Sequence, residues 1–186
     1  MIKIFHKIKT KLIPFALSLL GAFVLCCAPA QSQVNCSNLT RWSNTNPPVN
    51  QPHIFCGEWK NNRAKGFHSR PAGVNPNTVE NFNITQSANA QGVYGATWSY
   101  AGYGNNTKFS TMFPDSCTKN QVLNSIIYAA NNQVNCPSNA PSWAWCGLNA
   151  PTGNAANYCN GDDENLFTIA GASFNDGKVN TAFPLR

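Results

Sequence analysis

Histidine is nearly missing from this chain: there are three in 186 residues, and only His53 and His68 lie beyond the first thirty. Charge is equally sparse, at 11% of residues, yet 42% are hydrophobic and 11% aromatic. That balance supports a packed core and excludes a disordered polyelectrolyte. The formal net charge of +6 does not indicate a nucleic-acid-binding protein by itself, because four of the thirteen lysines and arginines (Lys3, Lys7, Lys9 and Lys11) sit in the first eleven residues. The rest carries nine basic and seven acidic side chains, a charge near +2. No CxxC pair occurs, which removes the usual zinc-site spacing. No internal repeat, coiled-coil heptad or second long apolar run is present, which argues against solenoid, coiled-coil and polytopic membrane architectures.

The opening thirty residues have the three parts of an export signal. Basic residues run to Lys11, an apolar stretch over 12–27 is interrupted by Pro14, and Ala28-Pro29-Ala30 forms a small-x-small cleavage site. Cleavage is expected after Ala30, leaving one domain's length of chain in the periplasm or outside the cell. The stretch falls short of the ~20 apolar residues of a membrane span, and Leu25 before Cys26 disfavours lipidation, so no membrane anchor is expected after cleavage. Six cysteines remain: Cys36, Cys56, Cys117, Cys136, Cys146 and Cys159. An even number in an exported domain reads as up to three disulfides, with the pairing open. Cys56 follows His53 by three residues, a spacing that would suit an activated thiolate, but an oxidising compartment favours a structural disulfide.

Residues 31–50 are rich in Asn, Ser and Pro and read as an extended leader, and 51–186 as the folded domain. Runs at 78–85 and 92–100 have β character. Over 118–131, Val122, Leu123, Ile126, Ile127 and Ala130 follow helical spacing with Ser116 or Thr118 as N-cap, and Asn131-Asn132 closes the helix. Residues 135–163 read as an irregular, disulfide-tied excursion. The runs 166–174 and 178–183 flank Asn175-Asp176-Gly177 as a hairpin. The fold class is therefore α+β, antiparallel sheet with a packed helix, stabilised by disulfides.

The two histidines are the natural candidates for proton transfer near neutral pH, and a reaction that needs one acid and one base needs two. Between and just beyond them lie Lys60, Arg63, Lys65 and Arg70, four of the nine basic residues outside the signal. Such a cluster is often only a solvated loop, but beside two histidines it suits an anionic substrate. Glu58, close to His53, is expected to orient that ring. Asp162-Asp163-Glu164 offers oxygen ligands for a divalent cation, but reads better as a solvated loop, so no metal site is assigned.

Three segments, PHIFCGEWKNNRAKGFHSRP, KFSTMFPDSCTKNQV and KVNTAFP, resemble the bacterial branch of the EndoU (poly-U-specific) endoribonucleases. The likeness spans residues 51–184 with the segments in the family's order. It implies an EndoU-like nuclease fold with RNA as the partner, and His53, His68 and Lys108 as catalytic residues, His68 as base and His53 as acid. Lys119 is the rival for the lysine position. It further implies cleavage by the ribose 2′-hydroxyl to a 2′,3′-cyclic phosphate and a 5′-hydroxyl, with no cofactor required; divalent cations stimulate part of the wider family. By the same likeness Thr181 and Phe183 fall at the base-recognition position, where many relatives carry tyrosine in place of Phe183. Ser110 and Thr181 are candidate readers of the uracil edge, with Lys65 and Arg70 as further substrate contacts. A toxin role against neighbouring cells would call for an immunity protein in the producer, whereas scavenging extracellular RNA would not.

Two readings compete. One is a disulfide-stabilised binding module that grips a surface polymer through Trp143, Trp145 and Tyr158. The other is a hydrolase acting on a different phosphodiester.

Overall fold

The computed structural model describes residues 33–153 and 156–186, and the expected signal lies outside them. Among the described residues no helix is long and apolar enough to cross a membrane. Among the described residues nine strands form three antiparallel sheets, accompanied by two α-helices. A short helix α1 (Gln51–Phe55) leads into a two-stranded ribbon, β1 (Glu58–Trp59) and β2 (Ala64–Lys65). A three-stranded sheet follows in the order β3 (Val79–Gln86), β4 (Tyr94–Tyr100), β5 (Thr107–Met112). Helix α2 (Lys119–Asn131) then precedes a four-stranded sheet of β6 (Gln133–Val134), β7 (Trp145–Leu148), β8 (Thr168–Ser173) and β9 (Val179–Pro184). The α+β, disulfide-stabilised class expected from the sequence is the observed one.

Helix α2 starts where its local chemistry requires. The Thr118 side chain accepts from the Gln121 backbone N–H, and the Gln121 side chain accepts from the Thr118 backbone N–H, a reciprocal capping box. Val122, Leu123, Ile126 and Ala129 are buried along one stripe. They pack against β7 and β8 because Gly147 carries no side chain: a Cβ there would collide with the Ala129 backbone. This helix, α1 and the four-stranded sheet enclose the larger core around Phe55, Phe113, Ile126 and Ile169. A second core of Phe67, Tyr94, Trp98 and Met112 lies under the three-stranded sheet.

Disulfides join Cys36 to Cys56, Cys117 to Cys159 and Cys136 to Cys146. All six candidate cysteines are thus paired, and Cys56 is not a nucleophile. Cys36–Cys56 fastens the segment before residue 50 to the end of α1, where Val49 is buried and bridges Val179 of β9. One expectation needs correction. The excursion over 135–163 contains β7, whose four residues Trp-Cys-Gly-Leu are too few to show an alternating pattern, its two central residues both being buried. Strand β5, which carries Lys108, and helix α1, which carries His53, are regular elements that the sequence pattern did not mark.

Candidate active site

The site begins at the C-terminal end of α1. A five-residue helix leaves its last carbonyls without helical partners, and here the chain returns to use them. Phe67 N–H donates to the His53 carbonyl at 2.7 Å, while His68 and Ser69 N–H donate to the Ile54 carbonyl at 2.8 and 3.2 Å. Gly66 makes the approach possible, since its φ is +72° and a Cβ would collide with the His53 carbonyl oxygen. Phe67 also lies in the left-handed region at φ 56°, held there by full burial against Trp98 and Phe82. The clip sets His53 and His68 side by side, with ring centroids 6.3 Å apart and planes inclined by 33°.

The two rings have different partners. His53 Nδ1 lies 2.7 Å from Glu58 Oε2, so the ring nitrogen donates to the carboxylate. This hydrogen bond is the main reason that the Glu58 carboxyl is held below its ordinary pKa. His68 Nδ1 lies 3.0 Å from the Thr111 backbone carbonyl, which can only accept; the neutral ring therefore carries its proton on Nδ1 and a lone pair on Nε2. Burial holds the His68 pKa well below 6.5, reinforced by the positive charges of Lys108 and His53.

Lys108 and Ser110 share one face of β5, two residues apart. Lys108 Nζ donates to Ser110 Oγ at 2.7 Å and to the Phe109 carbonyl at 2.9 Å, and burial lowers its pKa to about 8. Ser110 Oγ also accepts from Trp98 Nε1 and donates to the Gly66 carbonyl, both at 3.0 Å. These bonds use its one proton and both lone pairs. In this structure the Ser110 hydroxyl, expected at a base edge, braces Lys108 against the loop that carries His68.

Around these groups lies a cleft of about 640 Å³, whose wall includes His53, Lys65, His68, Lys108, Ser110, Thr181 and Phe183. Phe183 brings its ring centroid to 5.3 Å from that of His68. Of the expected site residues only Arg70 stands apart. Its guanidinium pairs with Asp115 at 2.7 and 3.2 Å, donates to the Tyr94 hydroxyl at 2.7 Å and the Gly73 carbonyl at 3.1 Å, and lies 4.3 Å over the Phe82 ring. It secures the chain just after His68 and has little left to offer a substrate. Arg63, Asn106, Thr107 and Trp143 line the cleft without having been assigned there. Arg63 carried a signal, as a member of the basic cluster; the other three are brought in by strand pairing and a disulfide loop.

The aromatics of the rival binding-module reading do not form one surface. Trp143 faces the cleft, Trp145 packs against the larger core, and Tyr158 pairs with Tyr128 beside α2.

Two imidazoles, an ammonium and a cationic rim thus share one cleft, an arrangement whose chemistry suits an anionic substrate. The chain belongs to the bacterial EndoU nuclease family, which matches residues 49–186. No curated protein and no solved structure matches it.

Proposed function

We propose that this protein is an exported endoribonuclease that cuts RNA at uridines by internal transesterification. In that reaction His68 Nε2 takes the proton of a ribose 2′-hydroxyl, whose oxygen attacks the adjacent phosphorus. The bond from phosphorus to the 5′-oxygen breaks, and His53 Nε2–H gives the departing oxygen its proton. The products are a 2′,3′-cyclic phosphate and a 5′-hydroxyl, with protons in balance. Lys108 offsets charge that builds on the non-bridging oxygens.

The observation that carries this reading is the different partnering of two rings 6.3 Å apart. A neutral His68 with its lone pair on Nε2 is prepared to accept a proton. A His53 whose Nδ1 is held by a carboxylate is oriented to act as the acid. This difference in partnering supports His68 as the base and His53 as the acid. Phe183 offers a stacking face and Thr181 a hydroxyl for the uracil edge. Loss of a tyrosine hydroxyl at position 183, relative to many family members, weakens uridine preference without removing the stack. The three disulfides support an oxidising compartment and hence export.

The test is incubation of oxidised protein, lacking residues 1–30, with uridine-containing RNA and its 2′-deoxy counterpart in excess chelator. Cutting of the RNA alone, lost in His53→Ala and in His68→Ala, is expected. Intact RNA, or equal cutting of the 2′-deoxy strand, would remove the proposal.

A further inference from the structure

Trp143 is 59% exposed, a large apolar ring left in water at the wall of the cleft. An exposed tryptophan alone means little, but the mounting of this one is unusually firm. It is borne on the loop closed by the Cys136–Cys146 disulfide. Within that loop two turns are set by Pro137 and Pro141, whose carbonyls accept from Ala140 and Ala144 N–H at 3.0 Å. The Asn139 side chain ties the loop to the Arg186 carbonyl at 3.1 Å. A loop cross-linked in this way loses little backbone freedom when a ligand covers its tryptophan.

Its place relative to the other rings gives the ligand. Centroid distances of 6.3, 5.3 and 6.0 Å join His53, His68, Phe183 and Trp143 in succession. With the scissile phosphate at the histidine pair and the base of the attacking nucleotide on Phe183, the next ring along belongs to the next base in the same direction. RNA leaves the attacking nucleotide away from its scissile phosphate through its 5′ side. We propose that Trp143 is a stacking platform for the base immediately 5′ of the nucleotide whose 2′-hydroxyl attacks, an inference that rests on the ribonuclease reading above. Stacking on an indole face tolerates any base, so this subsite adds affinity for longer RNA without adding a sequence requirement.

The test compares kcat/KM on four substrates: the dinucleotide UpA, ApUpA with one added 5′ nucleotide, the same trinucleotide abasic at that 5′ position, and UpApA extended on the 3′ side. Wild-type protein is expected to favour ApUpA over UpA by about five- to a hundred-fold, mainly through KM, as for one base–aromatic stack. The abasic form should lose that advantage. Trp143→Ala should bring the ApUpA to UpA ratio close to one, Trp143→Phe should retain much of it, and neither should change the UpApA to UpA ratio. An ApUpA advantage that survives Trp143→Ala or the abasic change would overturn the inference, as would a variant that lowers all four substrates alike. Failure of wild-type protein to cut any of them would overturn the underlying ribonuclease reading and this subsite with it.

Discussion

Glu58 Oε2 and His53 Nδ1 stand 2.7 Å apart across the turn that joins α1 to β1. The carboxylate holds His53 by one ring nitrogen and so leaves the other for the proposed acid role. Replacing it with an amide keeps the shape and removes the charge. Glu58→Gln is expected to lower kcat on a uridine dinucleotide by about 10- to 100-fold, within the range of acid–base contributions, with KM changed little. A fall in KM-based affinity with kcat preserved would show that Glu58 serves substrate binding instead.

The pH profile follows from two lowered pKa values. In the proposed reaction Lys108 acts in its protonated form, and burial brings its pKa to about 8. His68 must be neutral, and its pKa lies well below 6.5. Cleavage should therefore persist into mildly acidic solution and, because the proposed acid His53 must also hold its proton, be lost no later than the rise through about 8. Measurement of kcat/KM against pH checks this. Undiminished activity at pH 9.5 would contradict the role of Lys108.

Lys108 should also cost stability. Its pKa is lower in the folded chain, about 8, than the ordinary 10.5, so the unfolded chain binds more protons between those values. Stability from this group therefore rises with pH across that window, and below it the buried charge is a burden. Lys108→Met is expected to abolish RNA cutting while raising unfolding free energy at pH 7 by about 1 to 3 kcal/mol, the order of the shift. Denaturant unfolding of the two proteins measures the difference; a destabilised variant would mean that the lysine's hydrogen bonds outweigh its desolvation.

Much of the fold was legible because its signals are local. The α2 stripe and the Thr118 cap, and the Asp176-Gly177 turn with Gly177 at φ +82°, each depend on residues a few positions apart. Strand β5 was not legible, since its alternation of Lys108, Ser110 and Met112 on one face is half polar and becomes a strand through pairing with β4. The same distinction holds at the site. His53, His68 and Lys108 could be named from segments resembling a family, and Glu58 from its nearness to His53. Arg70 and Ser110 were placed with the substrate because their chemistry suits it, but Asp115, 45 residues from Arg70, and Trp98, 12 residues from Ser110, already engage them. Trp143 reaches the cleft only through a disulfide whose pairing the spacing left open.

In the proposed reaction a ribose hydroxyl, not water, is the nucleophile. Mass analysis of the ends left on a short oligonucleotide with a single ribouridine in a 2′-deoxy strand tests it most directly. The account predicts one cut, 3′ of the ribouridine, leaving a 2′,3′-cyclic phosphate on one fragment and a 5′-hydroxyl on the other. A 5′-phosphate, or cutting at the deoxynucleotides, would contradict it.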